Sequence, residues 1–361
     1  MELREVDDFE RVVRRYDECF EKENHDRPVM FVTAPKGKES KMPPAPSMLH
    51  DRWFNLGWRL DCFEATLENT YFAAEGFPHY HCNLGPDLLT VCLGSTLEFA
   101  EDTSWAVPRV KDWSDEPPLR FNPNSPYSQA MERFLNLSAE RGEGKWITDT
   151  GDIHSNGDAL SALRGPENLC IDLIERPDEV RKRLGECMTA WKEIVTRHHE
   201  IIRPHTDDVV SSWLSAAVRG RYAAIQNDFS FMIGPQMFRE FFQDIIREEA
   251  AFLDRAIYHL DGPGAIRHLD ALCEIKEIDA IQWVPGEGQP PMSDWIGLLK
   301  QIQEKGKGLH INCASHEVRP IVESLRPEGV IICTGTESPE AADALVKEVA
   351  SICASDSSLC G

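Results

Sequence analysis

Three side chains in the second half of the chain have the types and spacing of a metal site. His259 and Asp261 stand two residues apart at the end of a short apolar run, which closes in turn residues at 262–264. Because side chains alternate along a strand, both are predicted to point to one side. Cys333 ends a second strand-like run. Imidazole, carboxylate and thiolate all bind zinc, and three protein ligands with one open position are typical of catalytic zinc. The alternative is that Cys333 is a small buried residue without a chemical role.

Other polar and aromatic side chains are candidates for the same site. Asp228 lies between a predicted strand and a predicted helix. It is a candidate general base or substrate anchor, and the alternative is that it caps the following turn. His81 and Asn83 are candidate substrate-binding residues, with a loop histidine and an Asx turn as the alternative. Trp213 and Trp283 are expected at strand ends, where they either wall a pocket or pack in the core.

The elements that must position these residues are clearest in the second half, where strand and helix patterns alternate. Strands are predicted at 207–213, 256–261, 279–284, 308–313 and 329–334, and helices at 235–253, 295–305, 317–325 and 338–352. Such repeated units with buried strands predict a parallel sheet, either closed as a barrel or open and doubly wound.

The first half has weaker patterns. Strands are predicted at 27–33 and 145–149, and helices at 51–74 and 177–199. Polar residues gather at predicted strand ends, which is where a barrel keeps its active site. We therefore predict an α/β fold, a single TIM (β/α)8 barrel domain over 1–361 with N-terminal additions. The N-terminal addition is a helical extension at 1–25. A disordered tail is predicted at 354–361.

Composition limits the partners and the compartment. The chain has 361 residues and a net charge of -23, which disfavours nucleic acid and anionic membranes as partners. It has no signal-peptide pattern and no apolar run that could cross a bilayer, so a cytoplasmic protein is expected. The 11 cysteines include no CxxC pair and are expected to be free thiols. His310 and Cys313, three apart on a predicted strand, should lie on opposite faces, so at most one can serve a site.

Several familiar catalytic motifs are absent from the sequence. It contains no glycine-rich dinucleotide or phosphate loop, and no Gly-x-Ser-x-Gly elbow. Nucleotide-dependent enzymes and α/β-hydrolases are therefore disfavoured.

An ordered set of motifs resembles the uroporphyrinogen decarboxylase superfamily over most of residues 25–352. The motifs are Asp-Ile-His-Ser-Asn-Gly-Asp at 152–158, Leu-Arg-Gly at 163–165, Glu-Arg-Pro-Asp-Glu-Val at 175–180, Phe-Ser-Phe-Met-Ile-Gly-Pro at 229–235 and Phe-Arg-Glu-Phe at 238–241. This resemblance implies a TIM barrel. The arginine-rich loop of the decarboxylase branch is missing, because the matching stretch is followed by Lys36 and Lys38. The chain is therefore more similar to the corrinoid-linked methyltransferases of the methanol and methylamine type.

In that branch a His-x-Cys pair and a later cysteine bind zinc, which activates a thiol acceptor. The resemblance implies that His259 and Cys333 are two of these ligands, with Asp261 in place of the first cysteine. The predicted function is thus metal-dependent methyl transfer between a small molecule and a corrinoid protein or thiol, with zinc as cofactor. Expected partners are a small-molecule substrate and a corrinoid protein, and the candidate assembly is a homodimer.

Two rival functions remain open at this point. One is a metal-free decarboxylase or lyase acting on a small carboxylated compound, with Asp228 as the acid-base residue and His259 assisting. The other is a non-catalytic subunit that binds a corrinoid protein through its acidic surface.

Overall fold

The computed structural model describes residues 1–355. Its last helix runs to Ser355 and includes the first two residues of the predicted tail. The rest of that tail, 356–361, lies outside the described residues. The ten cysteines within the described part are all free, as expected. No helix between residues 1 and 355 is long and apolar enough to cross a membrane.

A seven-stranded, mostly parallel sheet forms the centre of the molecule. The strands are, in chain order, β1 (Val29–Pro35), β2 (Thr70–Ala74), β3 (His79–Tyr80), β4 (Leu97–Phe99), β5 (Ser104–Ala106), β6 (Ile147–Thr148), β7 (Val209–Val210), β8 (Val218–Arg219), β9 (Ile225–Gln226), β10 (Ile257–Asp261), β11 (Ala280–Val284), β12 (Gly308–Asn312) and β13 (Val330–Gly335). The central sheet has the order β2-β1-β13-β12-β11-β10-β9. Only the β1–β2 pair in it is antiparallel.

Three short strand pairs lie outside this sheet. The β3–β6 pair is parallel, and the β4–β5 and β7–β8 pairs are antiparallel. A single parallel bridge joins Asp149 to Ser211. The sheet and its helices confirm the predicted α/β class. Barrel closure stays a prediction, because the continuous ladder within residues 1–355 ends at β2 and β9.

Helices connect the strands and cover the sheet. They are α1 (Phe9–Phe20), α2 (Leu49–Phe54), α3 (Leu56–Glu68), α4 (Leu88–Cys92), α5 (Pro126–Gly142), α6 (Asn156–Arg164), α7 (Pro166–Glu175), α8 (Pro177–Ile202), α9 (Pro235–Phe241), α10 (Gln243–Phe252), α11 (Leu269–Cys273), α12 (Ile296–Glu304), α13 (Ser315–Val322) and α14 (Pro339–Ser355). Helix α1 lies within the predicted N-terminal extension, and the Asp8 side chain caps it by accepting from the Arg11 N–H. Its apolar side chains belong to the same buried cluster as the strands of the sheet, so this helix is part of the main core.

The strand register lines up a row of polar side chains across one face of the sheet. His259 on β10 pairs with Gln226 on β9 and with Gln282 on β11, and Gln282 pairs with His310 on β12. Residues in register point to the same face of a sheet. Gln226, Gln282 and His310 are buried. This row forms the floor beneath the carboxyl ends of the parallel strands.

Candidate functional site

Two carboxylates and one imidazole converge at the carboxyl ends of β9 and β10. Asp228 begins a short 3-10 helix just after β9, and His259 and Asp261 lie on β10. One ligand atom from each of these residues lies within 4.8 Å of those from the other two. Because His259 and Asp261 are two apart on a strand, the predicted common direction of their side chains agrees with this cluster. The three residues could hold a metal ion and leave positions open for a substrate.

A hydrogen bond sets the orientation of the His259 ring. His259 Nδ1 lies 2.6 Å from the side-chain oxygen of Gln282. An amide oxygen only accepts, so Nδ1 donates, and in the neutral ring Nε2 carries the lone pair. The Trp213 ring packs edge-on against His259 with 5.0 Å between ring centroids. Metal-binding histidines characteristically donate their second ring N–H to such an oxygen, which fixes tautomer and orientation together.

The same hydrogen bond begins a chain that crosses the sheet to Cys333. Gln282 Nε2 lies 3.3 Å from His310 Nδ1, and His310 Nε2 lies 3.6 Å from Cys333 Sγ. Gln282 thus donates to His310, and the His310 N–H faces the sulfur. Burial lowers the pKa of His310 to about 4, with a hydrogen bond to the Leu214 carbonyl opposing it, so the ring is neutral at neutral pH.

Cys333 therefore lies at the far end of this chain from His259. The cluster that contains His259 and Asp261 is completed by Asp228, and Cys333 is not part of it. The predicted set of His259, Asp261 and Cys333 is not brought together, because two buried side chains on β11 and β12 stand between the histidine and the sulfur. Burial also raises the pKa of the Cys333 thiol far above its ordinary value, and the nearby Cys313 raises it further.

A cavity of about 580 Å³ opens beside Cys333 at the carboxyl ends of β1, β12 and β13. Cys313, Cys333 and Thr33 are among its lining residues. His310 contacts the Cys333 sulfur and Cys313 lines the same cavity, so both approach one region although strand alternation predicted opposite faces. The physical reason is that β12 ends at Asn312, so strand alternation no longer applies to Cys313.

Sequence reasoning missed a second cluster as a site. One ligand atom each of His154, Asp158 and Asp228 lie within 4.8 Å of one another. Asp158 accepts the backbone N–H groups of Asp228 and Phe229 at 3.0 and 2.7 Å, and so holds the start of the 3-10 helix in place. The segment 152–158 was noted only for a resemblance. Its signal is a histidine between two aspartates at the start of a helix.

The capping alternative for Asp228 can also be judged from these contacts. Asp158 caps the turn that Asp228 would cap in that alternative. The Asp228 carboxylate instead accepts a hydrogen bond of 2.9 Å from Gln226 Nε2. Asp228 is exposed, so it can reach a ligand.

The charges of this second cluster shift the pKa values of His154 and Asp158 and act beside a similar shift at Asp261. Burial lowers the pKa of His154, but Asp152, Asp158 and Asp228 raise it to about 10. Burial and the Asp228 charge raise the pKa of Asp158, with His154 opposing. Burial also raises the pKa of Asp261, against the effect of His259. Without a bound cation, the site therefore holds a charged imidazolium among crowded carboxyl groups.

A buried carboxyl group anchors the loop that carries His154. Glu249 on α10 accepts a hydrogen bond from Ser155 Oγ and one of 3.1 Å from Asn156 Nδ2. Asn156 has a φ of 40°, a left-handed backbone conformation that residues other than glycine rarely adopt. Its amide also donates to the Gln226 carbonyl at 2.9 Å. These bonds hold the strained Asn156 between helix α10 and the end of β9.

The four predicted substrate-binding residues divide between site and scaffold. Trp213 lies in the site, where its indole donates to Asp152 Oδ1 at 3.2 Å. His81 is partly buried, and burial lowers its pKa against the opposing effect of Asp149. Asn83 folds back to accept the Gly85 N–H at 2.6 Å, which is the Asx-turn alternative.

Trp283 belongs to the core and not to a pocket. It is fully buried and packs against Trp295 with ring centroids 5.0 Å apart. Gln282 is in register with His259, so the next residue points to the opposite face of β11. Its predicted role as a pocket wall is therefore not supported.

Comparison with models of known protein families finds none that matches this chain. A search of curated proteins likewise finds no match. The superfamily resemblance therefore stays a prediction.

Proposed function

We propose that the protein is a metal-dependent enzyme whose divalent cation is held by Asp228, His259 and Asp261. The observation that carries this proposal is the convergence of the three ligand atoms within 4.8 Å. The bond between His259 Nδ1 and Gln282 supports it, because it fixes the tautomer in which Nε2 is free to coordinate a metal ion. Three protein ligands at a strand end leave room for a substrate in the coordination sphere.

The donor set of one imidazole and two carboxylates fits zinc, and it fits harder divalent ions such as manganese as well. Compared with the ligands implied by the resemblance, Asp228 replaces Cys333. When bound, the cation would supply Lewis-acid activation of a thiol, water or carbonyl oxygen. The residues of the chain would orient the cation, because Gln282 accepts from His259 Nδ1 and the Trp213 ring packs against the same imidazole.

The reaction we propose is methyl transfer between a small molecule and a corrinoid protein or thiol acceptor, which the superfamily resemblance implies. Parallel pairing of β3 with β6 and the Asp149–Ser211 bridge support the (β/α)8 barrel of that superfamily. The β3–β6 pair and the bridge lie between β2 and β9 in the chain, where the early strands of a barrel would be expected. The site then occupies the carboxyl ends of the strands, as in barrel enzymes generally.

A metal-free decarboxylase or lyase is the second candidate, and one observation favours it. His154 lies among three carboxylates that raise its pKa to about 10, although burial opposes this. A partly buried imidazolium of this kind could protonate a carbanion left by decarboxylation, with Asp228 as the acid-base partner. This reaction would be insensitive to chelators.

Metal analysis of variants tests the primary proposal. Protein purified without chelators or a metal-binding tag is loaded with Zn²⁺, desalted and analysed for bound metal. We expect His259→Ala to lose the cation of the Asp228, His259 and Asp261 cluster. Cys333→Ala should keep it, because this sulfur lies outside the cluster. The exposed His50→Ala is the matched control.

Methylcobalamin with a simple thiol is the corresponding probe of the reaction. We expect loaded wild-type protein to remove the methyl group, seen as a change in the visible spectrum, and His259→Ala to be inactive. Equal metal content in wild type and His259→Ala would refute the metal site. Turnover of a carboxylated compound in the presence of a chelator would favour the metal-free alternative.

A further inference from the structure

Asp228 belongs to two ligand clusters at once. It groups with His259 and Asp261 on one side, and with His154 and Asp158 on the other. Within each group the ligand atoms lie no more than 4.8 Å apart. A carboxylate has two oxygens and can bridge two cations, and paired catalytic ions typically lie about 3.5–4 Å apart. The arrangement is that of two neighbouring cation positions with one shared ligand.

The His154 position has the outer contacts that orient a metal-binding histidine. His154 Nε2 faces Asp152 Oδ1 at 3.5 Å, and the same oxygen accepts the Trp213 indole N–H at 3.2 Å. If Nε2 donates to Asp152, Nδ1 is left with a lone pair. A carboxylate behind the ring is the usual support of a metal-bound histidine.

Asp158 is likewise held in place before any ligand arrives. Each of its oxygens accepts one backbone N–H, from Phe229 and from Asp228. A carboxylate oxygen has two acceptor sites, so both oxygens retain a free one. The carboxylate is therefore fixed in position and still able to coordinate.

An unpaired oxygen beside Asp228 independently indicates a missing ligand. Gln226 is 4% exposed, and its Oε1 has no hydrogen-bond partner, while its Nε2 donates to Asp228. A buried acceptor left unpaired costs roughly 1–3 kcal/mol. Gln226 is in register with His259, so the two side chains lie on the same face of the sheet. A cation or its bound water would satisfy this oxygen.

The geometry points to a dinuclear centre in which Asp228 bridges two divalent cations, one held with His259 and Asp261 and the other with His154 and Asp158. This inference rests on the proposed function for its first cation and adds the second. Two adjacent cations suit a substrate that presents an anionic oxygen group, which both ions can clamp.

Titration with Mn²⁺ alone tests the second position. The full-length protein is titrated at neutral pH, and bound metal is counted after desalting and followed by electron paramagnetic resonance. We expect two ions per chain in wild type, with a spectrum broadened by coupling between them. His154→Gln should bind one uncoupled ion. His50→Ala, on the surface, should behave as wild type.

Each outcome bears on one proposal or on both. Two coupled ions in wild type and one in His154→Gln support the dinuclear centre. A single ion in wild type that His154→Gln retains and His259→Ala loses overturns the second position and leaves the proposed function standing. No bound ion in any variant overturns both. Circular dichroism shows whether each variant is folded, and His154→Ala is the second variant should the glutamine side chain itself coordinate.

Discussion

Replacing Glu249 by glutamine should change how stability depends on pH. Burial raises the pKa of Glu249 from 4.5 to about 8, although Ser155 and Asn156 donate to its carboxylate, and the charge of Asp158 adds to the increase. A glutamine has the shape and the neutral charge of the protonated acid. It can still accept from Ser155, so the loop that carries His154 should keep its conformation.

The sign and size of the effect follow from the pKa difference. Because the folded state binds the proton more tightly, the contribution of Glu249 is complete below pH 4.5 and is lost as the pH rises through 8. The whole difference corresponds to about 5 kcal/mol. Roughly 3 kcal/mol of it falls between pH 5.5 and pH 8.5. Relative to wild type, Glu249→Gln should therefore gain about 3 kcal/mol in unfolding free energy over this interval.

Urea unfolding of both proteins at the two pH values measures this difference directly, provided that the slopes with urea agree. Glu248→Gln is the matched control, because its carboxylate is half exposed and pairs with Lys192 at the surface. It should show a change of well under 1 kcal/mol. If the difference between Glu249→Gln and wild type is the same at both pH values, Glu249 does not titrate in this range and the reasoning is refuted.

Two further predictions separate the site from its scaffold. Gln282→Leu removes the oxygen that accepts from His259 Nδ1, and it should weaken binding of the first cation about 10–100-fold in a Zn²⁺ titration. Gln289→Leu, on a nearby loop, is the control. Equal affinities of Gln282→Leu and wild type for Zn²⁺ would contradict the orienting role of Gln282. Trp283→Ala should lower the unfolding free energy by about 3–5 kcal/mol in denaturant, because a fully buried indole is lost. Its metal stoichiometry should be unchanged, and a loss of metal in the folded variant would place Trp283 on the site face after all.

The strands of the second half were the most predictable elements. Strands β10 to β13 begin and end within one residue of the predicted ranges. They are buried and separated by amphipathic helices, so their pattern is strong and local. Predictions were poorer where strands are short. The predicted strand 207–213 contains only Val209–Val210, and the predicted helix 51–74 ends at Glu68 before the antiparallel edge strand Thr70–Ala74.

The candidate site was predictable only in part. His259 and Asp261 could be paired because two-residue spacing on one strand determines their common direction. The choice of third ligand could not be made in this way. Asp228 and Cys333 are both near strand ends, and only the order of the strands shows that Asp228 follows the neighbouring β9 while Cys333 lies three strands away on β13.

The sequence by itself determined the alternation of strands and helices, the free state of the cysteines within residues 1–355 and the shared direction of His259 and Asp261. All of these depend on residue type and on neighbours a few positions away. Tertiary structure decided which side chains meet. The contact of Gln282 with both His259 and His310 requires the register of three strands, and the closeness of Asp158 to Asp228 joins segments 70 residues apart. Such contacts depend on packing of distant segments, which local patterns do not encode.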